Sequence, residues 1–148
     1  LLPDRKGGAA VKTLFPMFSF PQDRTGDLPL YCDVQMDYER GCPMWAGGSP
    51  VFVTGLEAVR GWAWRAIDTA RYRFPVFSWN YGCELEALVG QPYRADTKRS
   101  EAERYVREAM LVSPYIREVQ VTDTTFEGSI IHIAVDLTTV YGRASVYV

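Results

Sequence analysis

The spacing of apolar residues changes character three times along the 148-residue chain. Residues 1 to 30 show neither a two-residue nor a 3.6-residue period, and Pro3, Gly7, Gly8, Pro16, Pro21, Gly26 and Pro29 punctuate them. That combination predicts an extended arm over residues 1–29. Its LFPMFSF stretch is too apolar for a solvated tail, so the arm is expected either to pack over its own domain or to lie on a neighbouring subunit. From residue 30 the pattern alternates. In LYCDVQMDYE, Cys32, Val34 and Met36 share one side, with Tyr31, Asp33, Gln35 and Asp37 on the other, as a strand requires. GCPMWAGGSP then reads as a loop and VFV, residues 51–53, as a short second strand.

A helical period follows. Thr54 and Glu57 fit a T-x-x-E capping box, which places a helix start near Gly55. Leu56, Val59, Ala63, Ala66, Ile67 and Ala70 fall on one stripe, and Trp62 and Trp64 sit on its opposite edges. Pro75 makes ARYRFPVFSW a connector, and Gly82 permits a tight turn. Glu84 to Val89 should form a short helix with Leu85, Leu88 and Val89 inward and Gly90 as its stop. A longer helix is predicted from about Thr97 to Val112. Ala102, Tyr105, Val106 and Ala109 form its inner face, Glu103 and Arg107 pair outside, and Pro114 ends it. Beyond that the period returns to two in REVQVTDTTF and GSIIHIAVDLTTV, which turn at Glu127 and Gly128, and the last strand is RASVYV. An apolar last strand with a free edge invites pairing with another chain, and cutting ahead of Arg143 is expected to leave a folded core.

These elements predict a small single-domain α+β fold: two main helices plus a short helix packed on an antiparallel β-ribbon or sheet over residues 30–148, preceded by the arm. The length suffices for a hydrophobic core without disulfide or metal support. Sixteen basic and 18 acidic residues leave a net charge of −2 with no basic block, so nucleic acid is not expected as a direct partner. Cys32, Cys42 and Cys83 form no C-x-x-C pair, and no apolar run is long enough for a membrane span. A reducing compartment and synthesis in the cytosol are therefore expected.

Reactive groups in catalytic spacing are missing from the sequence. His132, the single histidine, lies between isoleucines with no ligand partner nearby, and no G-x-S-x-G elbow is present. Glu84 and Glu86 stand two apart on one turn and should diverge, which disfavours a glycosidase cleft. The Gly-Gly pairs at 7–8 and 47–48 lack a phosphate-binding context. Cys83 at a helix start could be activated by the dipole, but filling a tight bend is its expected role. No catalytic residue, metal ligand or cofactor is expected, and the protein reads as a non-enzyme. Aromatic residues make up 14 % of the chain and gather in RFPVFSWNYGCELEALVG, residues 73–90, a composition suited to buried contacts with partners.

RYRFPVFSWNYGCELEALVG, with the amphipathic helix, S-P-Y-I and a β-ribbon ending in VYG, resembles the baseplate wedge proteins of contractile phage tails and tail-like bacteriocins. The similarity covers roughly residues 30–142 and is nearest the branch of Gram-positive phages and prophages. More distantly it extends to the sheath-initiating wedge subunit and its counterpart in type VI secretion. This resemblance implies a structural subunit of the tail or tail-like particle, built in the host cytoplasm into a symmetric, six-fold baseplate. The implied partners are other wedge proteins, the tube hub and the sheath subunit. A Glu-Pro-Arg motif of the distant branch is matched here by Ser113, Pro114 and Tyr115, so packing by Tyr115 is expected in place of charge. Phe77, Trp79 and Tyr81, together with Trp62, Trp64, Pro114, Tyr115, Val146, Tyr147 and Val148, are the expected interface residues. Competing readings are a peptidoglycan hydrolase, which a lysozyme-like label in the distant family suggests, and a free-standing peptide-binding module.

Overall fold

The computed structural model describes residues 28–148. The expected arm therefore lies, but for its last two residues, outside the described residues.

The C-terminal segment forms a three-stranded antiparallel sheet of β7 (Ile116–Glu127), β8 (Ile130–Thr139) and β9 (Gly142–Tyr147), in the order β7-β8-β9. Alternation in the sequence builds it directly: Ile133, Val135, Leu137 and Thr139 of β8 are buried, while His132 and Asp136 face solvent. Helix α1 (Leu56–Asp68) lies over β9 and helix α2 (Ala95–Met110) over β7, which gives two layers around one core. Val59, Ala63, Ala66 and Ile67 of α1 meet Ala102, Val106, Ala109 and Met110 of α2 above the sheet. Burial of these small and branched side chains supplies the dominant stabilisation, at roughly 25 cal/mol per Å² of apolar surface removed from water. Val146 is 2 % exposed in that core, so β9 is an integral strand. The expectation that a chain cut before Arg143 keeps its core is corrected accordingly.

Residues 31–54 carry the first strand and the short VFV strand expected of them, but the strand is split and the expected loop between them is itself folded into strands. Six short strands form a three-way junction: β1 (Cys32–Val34) with β6 (Phe52–Thr54), β2 (Met36–Asp37) with β3 (Cys42–Pro43), and β4 (Trp45–Ala46) with β5 (Ser49–Pro50). A ring of backbone bonds holds the centre. Gln35 N–H donates to the Val51 carbonyl at 2.8 Å, Val51 N–H to Met44 at 2.9 Å, and Met44 N–H to Gln35 at 2.8 Å. The Cys32, Val34, Met36 face breaks at this ring, so Cys32 is exposed while Met36 is buried under Gly61 of α1.

Helix α1 begins where the sequence predicts, but without the capping box. Thr54 is committed to β6 opposite Cys32, and the Glu57 carboxylate accepts from the Tyr38 hydroxyl at 3.0 Å and pairs with Arg60. Gly55, at φ 64°, makes the corner in their place. In α2 the expected Glu103–Arg107 pair gives way to Arg104, which bridges Glu101 at 2.6 Å and Glu108 at 3.0 Å. The turn between β7 and β8 comprises Gly128 and Ser129, one residue later than expected, because Glu127 still pairs with Ile130.

Candidate interaction site

Between α1 and the short 3-10 turn Leu85–Leu88, residues 69–84 form a closed surface loop. Two backbone bonds join its ends. Cys83 N–H donates to the Thr69 carbonyl at 2.9 Å and Arg71 N–H to the Cys83 carbonyl at 3.0 Å, an isolated bridge of Ala70 with Cys83. Gly82 makes this closure possible: at φ 99° it is buried, and a Cβ there would stand 2.8 Å from the Thr69 carbonyl oxygen. Arg71 binds Glu84 at 3.2 Å and donates to the Asn80 carbonyl, and Arg73 binds Glu86 at 3.0 Å across the same mouth. The two carboxylates are thus occupied as separate loop clamps.

Inside this frame the rings meet one another tilted or edge-on. Tyr72 adopts φ 65°, costly for a non-glycine residue, and meets Trp79 with centroids 5.9 Å apart. Phe74 meets Phe77 edge-on at 6.0 Å, Phe77 meets Tyr81 at 4.8 Å, and Tyr81 meets Trp62 at 6.0 Å. The result is a shallow apolar pocket of about 240 Å³ between Tyr72, Phe74, Phe77 and Trp79. Trp79 is 82 % and Val76 83 % exposed. The loop is a series of tight turns, with Phe77 N–H bonded to Phe74 and Tyr81 N–H to Ser78, so Phe77, Trp79 and Tyr81 do not line one side of an extended segment.

Tyr81 instead points inward. Burial raises its phenol, against the opposing effect of Arg65, which also holds Asp33. Burial likewise pushes the Cys83 thiol up to about 11, so the helix start leaves it protonated and unreactive near neutral pH. The short helix is as read for Leu88, which is buried; Leu85 is half-buried and Val89 exposed.

The remaining expected interface residues divide in the same way. Trp62 and Trp64 are half-buried, Trp64 edge-on to Tyr38 at 5.9 Å. Tyr115 is turned into its own chain, so its packing is corrected to an internal role. Its hydroxyl donates to the Pro29 carbonyl at 2.9 Å, and its ring lies 4.9 Å from Tyr31 and 6.0 Å from Tyr141. Pro114 and Tyr147 are exposed, Val148 is half-buried, and the Val146 side chain belongs to the core.

A second surface is the edge of β9. Ile133 and Val148 exchange backbone bonds of 2.8 and 3.0 Å, so by antiparallel alternation the N–H and C=O groups of Arg143, Ser145 and Tyr147 point away from β8. Among the described residues no backbone group pairs with them. The opposite edge, β7, carries register shifts at Ile116/Glu118 and Val121/Asp123, bulges of the kind that blunt an edge, whereas β9 is regular. The sequence concealed residues whose exposure depends on long-range closure: Val76 and Tyr72 in the loop, and Trp45 and Phe52 on the three-way junction, 66 % and 64 % exposed.

No described helix is long and apolar enough to cross a membrane. Comparison with known proteins adds one curated relative and one family. The phage-like element PBSX protein XkdS of Bacillus subtilis (strain 168) is 30 % identical over 83 residues, which cover 55 % of this chain and 59 % of that protein. The chain thus matches somewhat over half the relative's length. The model of the contractile injection system sheath initiators matches residues 32–142, from the first strand of the junction to the start of β9, and by that match the chain belongs to the contractile injection system sheath initiator family.

Proposed function

We propose that the protein is a structural subunit of the baseplate of a contractile phage tail or tail-like particle, joining wedge proteins to the tube hub and starting sheath assembly. The observation that carries this reading is the 69–84 loop: a rigid, closed frame that leaves Trp79 and Val76 more than four-fifths exposed on the molecule's surface. Rings held by short turns lose little conformational freedom on binding, which favours burial against a partner. The loop is assigned to neighbouring wedge or hub proteins, with Phe77 and Trp79 as anchors and Tyr81 and Trp62 as their support. The β9 edge is assigned to a strand of the sheath subunit, taken up by β-augmentation. Repetition of these modest contacts around a six-fold ring would give avidity beyond any single interface. Family membership and the PBSX relative favour the particle context.

Producing cells carrying Trp79→Ala test the loop. The expected outcome is a folded, soluble protein absent from purified particles, found by mass spectrometry of the particle fraction. Normal incorporation of this variant would overturn the loop assignment. Ser145→Pro tests the edge, because it removes an outward-facing backbone donor and no backbone bond to β8, though the Ser145 hydroxyl's bond to Asp136 at 2.6 Å goes with it. It should enter baseplates yet leave them without sheath.

A further inference from the structure

The open edge of β9 is self-complementary, and we propose that the free protein rests as a two-fold homodimer in which β9 pairs antiparallel with β9 of a second copy. Within β9 the outward-facing residues are Arg143, Ser145 and Tyr147, with Ser145 in the middle. Two antiparallel copies satisfy the outward groups of all three with one another only when Ser145 lies on the two-fold axis. Odd positions then face odd positions, so the outward N–H and C=O groups of Arg143, Ser145 and Tyr147 all find partners.

The same register sets the side chains. Arg143, exposed and without an ion-pair partner among the described residues, falls opposite Tyr147 of the second copy, 68 % exposed, and the guanidinium meets the ring twice across the axis. Ser145 faces its own copy, small against small. On the helix side Ala144 falls opposite Val146, which extends the core layer across the axis. Shifting the axis by one residue loses overlap, and two-residue shifts that place Arg143 opposite its own copy add a repulsion. The edge of β7 cannot form an equivalent pair, because its two bulges break the alternation. The product is a continuous six-stranded sheet with no exposed regular edge at its centre.

This edge lies at the margin of the segment matched to the family, which ends at Gly142. The dimer stands on the strand geometry alone. Its use as a cap that hides the edge until a sheath strand displaces the second copy rests on the proposed function.

Sedimentation of the purified chain over a micromolar to millimolar dilution series should show a species of twice the 16.8 kDa mass. Tyr147→Lys sets like charges opposite each other twice and should weaken the dimer about tenfold, with the circular dichroism unchanged. Adding Arg143→Glu to Tyr147→Lys should restore it, because opposite charges then face each other. Ser145→Pro should be monomeric. A wild type that stays monomeric throughout, or a Tyr147→Lys dimer of undiminished affinity that Arg143→Glu does not alter, overturns the proposal. If the wild type is monomeric and Ser145→Pro still blocks sheath formation, the dimer falls and the sheath contact stands.

Discussion

The β7–β9 sheet and the 69–84 loop are both rich in apolar side chains, yet they spend them in opposite ways. In the sheet, Ile133, Val135, Leu137 and Val146 are 1–3 % exposed, and the outward positions are mostly polar, Ile130 and Tyr147 excepted. In the loop, Tyr72, Phe74, Val76, Phe77 and Trp79 remain exposed at between 45 % and 83 %. Period decides the difference. A two-residue alternation sends every second side chain into a shared core, whereas consecutive tight turns give the loop no interior large enough to take its rings. The sheet therefore stabilises the molecule, and the loop presents the apolar surface proposed above as a partner contact.

Substitutions can break this contrast in order of expected size. Leu137→Ala removes a fully buried side chain beneath both helices and should cost about 3 kcal/mol in urea unfolding. A loss under 1 kcal/mol would mean that the sheet core is not the seat of stability. Gly82→Ala forces a Cβ against the Thr69 carbonyl at a positive φ and should cost about 2 kcal/mol. Its fingerprint is faster hydrogen exchange at the Arg71 and Cys83 amides. Trp79→Ala should shift stability by less than about 0.5 kcal/mol while it abolishes incorporation into particles. Arg73→Ala, which breaks an ion pair exposed at both ends, should be neutral in stability to within about 0.5 kcal/mol.

Titration sharpens the same comparison. Burial raises Cys83 from 9.0 to about 11, and burial raises Tyr31 and Tyr38 from 10.0 to about 12, with nearby Asp33 and Glu57 adding to the shift. Folding thus favours the protonated forms. Their contribution is fully present below pH 9 and is lost as pH rises through the folded values, so the unfolding midpoint should fall between pH 9 and 12. A thiol reagent at neutral pH should modify the exposed Cys32 and Cys42 quickly and Cys83 only on unfolding.

Much of the sheet was legible in the sequence because alternation is a local property. The buried residues of β8 and the inner faces of both helices follow from period alone. What escaped depends on contacts distant along the chain. The Gln35, Met44 and Val51 ring splits what reads as one strand, and the pairing of Thr54 with Cys32 takes it from its cap. The sequence marks residues 73–90 as aromatic and bent, but the inward turn of Tyr81 and the outward turn of Trp79 depend on the bridge between Ala70 and Cys83. Tyr115 read as a surface residue because its hydroxyl's acceptor, the carbonyl of Pro29, lies 86 positions away.

The central claim is that the loop and the β9 edge are surfaces completed by partners in a contractile particle. An image of the assembled baseplate at side-chain resolution tests it most directly. Trp79 and Phe77 should be buried against a neighbouring wedge or hub protein, and a sheath strand should be hydrogen-bonded to Arg143, Ser145 and Tyr147. Finding the protein in the baseplate with both the loop and the β9 edge facing solvent would contradict it.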